Sequence, residues 1–375
     1  MKQLLSGLGV SILSLSILSC TSPTGEVEAE RASIPTEEAE RQIPATAEYD
    51  GIWISRGEIV ELPISGPAWT QLLTRANQAP GIPDVSDQNS NHDVNMLAKA
   101  LVYVRTGIES YRTQVREGCM GAIDTELGGR TLALGRNLCC YVIAADLVRL
   151  DPVEDVVFKS WLRRTLTEDL SGRTLQSTHM DRPNNWGTMA GGSRAAVALY
   201  LNDVPELQET ARIFKGYLGD RDSYANFRFQ FGDQGADTWM PDPINNPRPL
   251  NELGARVQGQ SVDGALPDDI SRGGPFEWPP IHTGYPWEGL AGAVVQAEIL
   301  SRQGFDTWNW ENRAMYRAVD YLRYLDALFG DWWVTDDDEE WLIWVVNRAY
   351  GSSFQTELPA RHGKNMGWCD WTHAE

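Results

Sequence analysis

The run Leu132-Ala-Leu-Gly-Arg-Asn-Leu-Cys-Cys-Tyr-Val-Ile-Ala-Ala-Asp-Leu-Val-Arg-Leu150 decides the fold class. Leu134, Leu138, Val142, Ala145 and Val148 recur in it at three- and four-residue spacing, the period of one helix face. Working outward, the same period predicts helices over 67–79, 92–104, 153–170, 191–201, 205–218, 288–301, 310–329 and 340–350. Strand-like alternation is confined to 51–63, where Ile52, Ile54 and Ile59 suggest a short extended segment. Such a chain is expected to be all-α, a stack of antiparallel helical hairpins that bury their apolar faces on one another.

With 375 residues, 42% of them hydrophobic, the chain can bury a large core. Its net charge of -20 opposes nucleic-acid binding, which needs a basic footprint. The acidic run 336–340 reads most simply as a solvated loop. At the N-terminus, Lys2 precedes an apolar run over 4–18 that is too short to span a membrane and is shaped like a signal-peptide core. The run ends in Ile17-Leu18-Ser19-Cys20, which is similar to the lipobox of bacterial lipoproteins. The expectation is therefore a signal peptide over 1–20, a lipid anchor at Cys20, a Glu/Ala/Thr/Pro/Ser tether over 21–50, and one exported domain over 51–375. Export permits a disulfide among Cys119, Cys139, Cys140 and Cys369 and equally permits buried thiols.

Two regions break the helical rhythm and hold the candidate chemistry. The first, 177–187, contains His179, Asp181, Arg182 and Asn184-Asn185-Trp186-Gly187. An asparagine before a helix is a good N-cap, and both cannot cap one helix end, so the spare amide could serve a ligand carboxylate. The second, 220–288, is rich in Gly, Pro, Asn and Trp and ends in the stretch 272–290, whose prolines and glycines read as a stiff loop. There Arg272, His282 and Tyr285 lie close in sequence. Histidine titrates near neutrality, and a tyrosine can transfer a proton where a cation sits beside it. Trp186, Trp239, Trp278 and Trp287 fall in these regions, where a saccharide cleft would want flat apolar faces. The carboxylates Asp263, Asp268, Asp269, Glu277 and Glu288 could instead supply the acid and base of a glycoside hydrolase. His92, His362 and His373 are scattered without ligand spacing, so neither a catalytic metal nor another cofactor is expected.

Asn184-Asn185-Trp186-Gly187 before a small-residue helix, then Asp263-Gly264-Ala265-Leu266-Pro267, Asp269, Arg272, His282 and Tyr285, resembles the alginate lyase superfamily of polysaccharide lyases over roughly 91–325. The resemblance implies an α/α toroid and cleavage of an anionic polysaccharide, a polyuronate, by β-elimination. It further implies Asn185 as the group that neutralises the substrate carboxylate, Tyr285 as base or acid, and His282 and Arg272 as their assistants. Asn184, Trp186, His179, Arg182, Trp239, Trp278 and Trp287 would line the substrate. One position departs: Trp186 stands where such lyases often carry histidine, which leaves His282 and His179 as the candidate histidines and the uronate open. An inverting glycoside hydrolase and a non-catalytic saccharide-binding lipoprotein are the competing readings.

Overall fold

The computed structural model describes residues 51–229, 239–272, 274–330, 339, 341–356, 358–360 and 363–374. The expected signal peptide, tether and Cys20 anchor lie outside the described residues, as does His362. Of the acidic run, Glu339 alone is described, and it is buried rather than solvated.

The helices in chain order are α1 (Arg56–Glu61), α2 (Pro67–Ala76), α3 (His92–Thr106), α4 (Glu109–Ala122), α5 (Thr131–Val148), α6 (Pro152–Thr167), α7 (Leu175–Asp181), α8 (Asn185–Tyr200) and α9 (Val204–Leu218). A two-stranded ribbon follows, β1 (Arg256–Val257) antiparallel to β2 (Gln260–Ser261). After it come α10 (Pro267–Ser271), α11 (Tyr285–Ser301), α12 (Trp310–Phe329), α13 (Trp341–Tyr350) and α14 (Cys369–Thr372). Helices α3, α5, α8 and α11 form an inner row, each against the next, while α2, α4, α7, α9, α12 and α13 cover them. This two-layered curve of helical hairpins is an α/α toroid. The N- and C-terminal segments bridge its two ends: Trp53 meets Trp341 edge-on at 6.5 Å, Glu58 pairs with Arg302 at 2.7 Å, and Trp368 Nε1 donates to Val94 O at 3.1 Å.

The inner row explains why α5 is so apolar. Every residue of α5 except Asp146 is buried, so it is a helix covered on all sides rather than a one-faced amphipathic one. It is long and apolar enough to cross a membrane, yet 94% of it is buried in the domain, which makes it a core helix. The inner helices approach closely where residues are small. A Cβ on Gly135 of α5 would lie 2.9 Å from Ala190 N on α8, and one on Gly292 of α11 would lie closer still to Met189 N. Both are backbone atoms, which cannot step aside as a flexible side chain can. Gln296 of α11 ties the same seam by donating to Thr188 O at 3.0 Å.

Several boundaries differ from the periodic reading. The extended segment expected over 51–63 is instead a bend followed by α1, started by a capping box in which Ser55 Oγ accepts from Glu58 N at 3.0 Å and Glu58 Oε2 accepts from Ser55 N at 2.8 Å. Helix α8 starts at Asn185, six residues before the predicted start, because glycines and polar residues opened the pattern there. The stretch 272–290 is a loop only as far as Gly284: α11 begins at Tyr285, with Pro286 in the first turn, where its missing N–H costs nothing. Helix α7 occupies part of 177–187, and α4 shows few apolar residues because it lies in the outer layer. All four described cysteines are buried free thiols.

Replacing Gly292 by alanine should push α11 off α8 and destabilise the domain by about 1–3 kcal/mol. Urea denaturation would show this as a lowered midpoint with an unchanged slope.

Candidate active site

Because α8 and α11 touch, the start of α8 lies against the start of α11 and the short α10. Asn184 is the N-cap of α8: its Oδ1 accepts from Trp186 N at 3.2 Å, and its Nδ2 donates to Asp268 Oδ2 at 2.7 Å. Asn185 is bonded through its backbone N–H and both side-chain heteroatoms. Its backbone N–H donates to Asp269 Oδ1 at 3.1 Å, its Oδ1 accepts from Trp186 N at 3.0 Å, and its Nδ2 donates to Glu288 Oε2 at 2.7 Å. One of the paired asparagines therefore caps the helix, and the spare amide is spent on Glu288. Asn185 is 1% exposed, so in this conformation its side chain forms the floor beneath the site rather than its surface.

Glu288 Oε2 also accepts from Arg136 of α5, whose Nε contacts Met189 Sδ at 3.3 Å. Arg136 is a buried cation, and the sequence shows it as a guanidinium inside an apolar run, a residue type that is rarely buried unless paired. That signal was present but pointed to no partner, since Glu288 is 152 positions away. Asp269 completes the floor. It is fully buried, and its burial, with the adjacent Asp268 charge, pushes its carboxyl well above the ordinary carboxylate range. It is thus held as the neutral acid. The carboxylates considered for hydrolysis are otherwise committed: Asp268 to Asn184, and Asp263 to Arg317 at 2.5 Å and to Gly254 N at 2.8 Å, while Glu277 is exposed.

Above this floor stands an exposed pair. The Arg272 guanidinium lies 3.5 Å from the centroid of the Tyr285 ring. Arg272 is the C-cap of α10 and takes the left-handed conformation, φ 50°, which costs a non-glycine residue about 1–2 kcal/mol. Its N–H is fixed on Asp268 O at 3.1 Å, so the turn that strains the backbone also aims the side chain at Tyr285. Tyr285 is 37% exposed, and His282 is exposed three residues before it. The structure thus brings Asn184, Asn185, Arg272 and Tyr285 around one spot, joined by Trp186, over which Arg182 sits at 5.5 Å from the ring centroid.

Other sequence candidates lie elsewhere. His179 is buried under α8 in a tight crevice with Arg182, Tyr217 and Gln296, and Arg194 reaches its Nδ1 at 3.4 Å. Burial and the Arg194 charge hold its imidazole well below the ordinary histidine value, so it is neutral. Trp239 is core, against Phe276 at 4.6 Å, and Trp287 is 3% exposed beneath the Arg323 guanidinium. Trp278 is partly buried against the same core, edge-on to Phe329 at 5.4 Å. Of the remaining histidines, His92 bonds Tyr141 Oη at 2.6 Å, and His373 is buried 3.7 Å from Glu298.

No protein-family model matches the chain, and no curated protein matches it. Among solved structures it is similar to alginate lyase A1-III from Sphingomonas species A1, at 11% identity and a TM-score of 0.47 over 85% of this chain and 90% of that one. A histidine-to-alanine variant of alginate lyase A1-III complexed with tetrasaccharide matches at 12% identity and 0.48 over 85% and 89%. A tyrosine-to-phenylalanine variant, also complexed with tetrasaccharide, matches at 11% and 0.49 over 85% and 93%. At such identities none of them assigns a role to a residue of this chain.

The raised Asp269 carboxyl gives a pH signature. A carboxyl whose folded pKa is raised holds its proton in the folded chain after the unfolded chain has lost it, so its own contribution to stability is fullest below about pH 4 and declines as pH rises toward the folded value. Asp269→Asn keeps the acceptor for Asn185 N–H and removes that decline. Its urea midpoint should gain on the parent protein at pH 8 relative to pH 5.

Proposed function

We propose that this protein is a polysaccharide lyase that cleaves a polyuronate by β-elimination, using side chains and no metal. The observation that carries the reading is the Arg272 guanidinium stacked 3.5 Å above the exposed Tyr285 ring at the start of α11. That arrangement sets a fixed positive charge beside a phenol hydroxyl, as an acidic sugar needs: a cation for its carboxylate and a proton-transfer group next to it.

In the proposed reaction a base takes the proton from the sugar carbon next to the carboxylate. The electron pair left behind forms a carbon–carbon double bond, and the bond to the glycosidic oxygen breaks. That oxygen receives a proton as it leaves, and no water is consumed. Negative charge builds on the substrate carboxylate during proton removal, where Arg272 meets it. Tyr285 is the proposed proton-transfer residue and exposed His282 its assistant, with Trp186 and Arg182 along the bound chain. Asn184 and Asn185 contribute from below by fixing the start of α8. In the proposed setting the enzyme is exported and tethered to the envelope through a lipid on Cys20, with the 21–50 segment as spacer.

A hydrolase would need a carboxylic acid within reach of the glycosidic oxygen, and Asp269, the carboxyl held neutral here, is fully buried. Tyr285→Phe separates the readings. It should lower turnover of a polyuronate by at least about a hundredfold, read as ultraviolet absorbance of unsaturated chain ends across alginate and glucuronan. Saturated reducing ends made by both proteins would show hydrolysis, and polymer binding without any product would leave a saccharide-binding lipoprotein.

A further inference from the structure

Glu288 is the one floor residue with a face toward the site. Its Oε2 takes both the Asn185 Nδ2 and the Arg136 guanidinium, while Oε1 makes no hydrogen bond among the described residues. The side chain is 18% exposed, against 3% for Arg136 and 1% for Asn185 as a whole. Glu288 lies three positions after Tyr285 on α11, so the two share a helix face with Cβ atoms about 5–6 Å apart. A carboxylate gripped through one oxygen by two donors, with its other oxygen unbonded on the helix face that carries the exposed tyrosine, can accept a hydrogen bond from outside the chain.

We propose that Glu288 is a substrate-orienting residue: its free oxygen accepts a ring hydroxyl of the sugar next to Tyr285 and turns that sugar's carboxylate away, toward Arg272. Arg136 and Asn185 are then positioning residues that act through Glu288 and do not touch the polymer. The inference rests on the lyase reading. Like charges repel across a short distance, so an acidic sugar can enter in two ways but binds productively in only the one that separates its carboxylate from Glu288. Accepting a hydroxyl is compatible with that pose, because a hydroxyl supplies the donor that a carboxylate lacks.

Glu288→Gln tests this directly. Its amide oxygen can still accept from Asn185 and Arg136, while the buried cation loses its counter-charge, so the urea midpoint should fall and the kinetics are read on the folded protein. The NH2 that replaces the unbonded oxygen donates, and welcomes the sugar's carboxylate in the wrong pose. Non-productive binding lowers kcat and KM together, so both should fall about tenfold on the polyuronate that the parent protein cleaves. A merely structural role would not produce that joint fall. In Glu288→Ala the accepted hydroxyl is lost outright, and kcat/KM should drop about tenfold to a hundredfold. Asn185→Ala should add no further loss to Glu288→Ala, since both act on one contact. Glu288→Gln with parental kcat and KM, or losses for Asn185 and Glu288 that multiply, would overturn the inference while the lyase reading stands. A parent protein that forms no unsaturated ends on any polyuronate would overturn both.

Discussion

The close contact of α8 with α11 at Gly292 is the constraint on which the rest depends. With no side chain there, the backbone of α11 comes against Met189 N and Thr188 of α8, and Gln296 donates across the same seam. Gly135 lets α5 do likewise from the other side. Once three inner helices are fixed at this spacing, their ends are fixed too. The first residue of α8, the first turn of α11 and the second turn of α5 then meet, which is why Asn185, Glu288 and Arg136 form one network although they come from three separate parts of the chain.

That network is costly by itself. Arg136 is taken almost wholly out of water, and a buried cation that loses its partner destabilises a fold by roughly 3–5 kcal/mol. What offsets part of the desolvation is hydrogen bonding: Glu288 shares one oxygen between a guanidinium and an amide, Asn185 donates and accepts through its side chain, and Asp268 answers Asn184, while buried Asp269 Oδ2 has no partner among the described residues. A hydrogen-bonded floor of this sort holds its members in one geometry before any ligand arrives. The exposed pair above it is set by a different device, a left-handed Arg272 whose strained turn directs the guanidinium onto Tyr285. Rigid floor and aimed rim together are what preorganised electrostatic stabilisation requires.

How much of this could be read from the sequence depended on the range of the signal. Helix periodicity is local, and it placed most of α2, α3, α5, α6, α9, α11, α12 and α13 within a few residues. It failed where a local signal was overridden. The alternating isoleucines near Ile52 are buried by the bridge to α13 and α14 rather than by a sheet, and α8 begins with polar residues and glycine, whose side chains cap the helix and bond α10 and α11 instead of forming an apolar stripe. The asparagine cap was legible because capping is local chemistry; its partners were not. Arg136 looked like one charge in an apolar helix, and nothing in its neighbourhood names Glu288. Tryptophan was the least informative residue: Trp239 and Trp287 sit in regions of irregular sequence and yet fill the core, since a large ring beside a long loop is as useful for covering that loop from within as for facing a ligand.

The most direct measurement is a crystal structure of the Tyr285→Phe protein with a short uronate oligosaccharide. The expected result is a sugar whose carboxylate lies on the Arg272 guanidinium, with a ring hydroxyl on Glu288. The proton-bearing carbon next to that carboxylate should face the edge of the substituted ring, where the tyrosine hydroxyl was removed. An oligosaccharide bound away from Arg272, or with its carboxylate turned from that guanidinium, would contradict the proposed site.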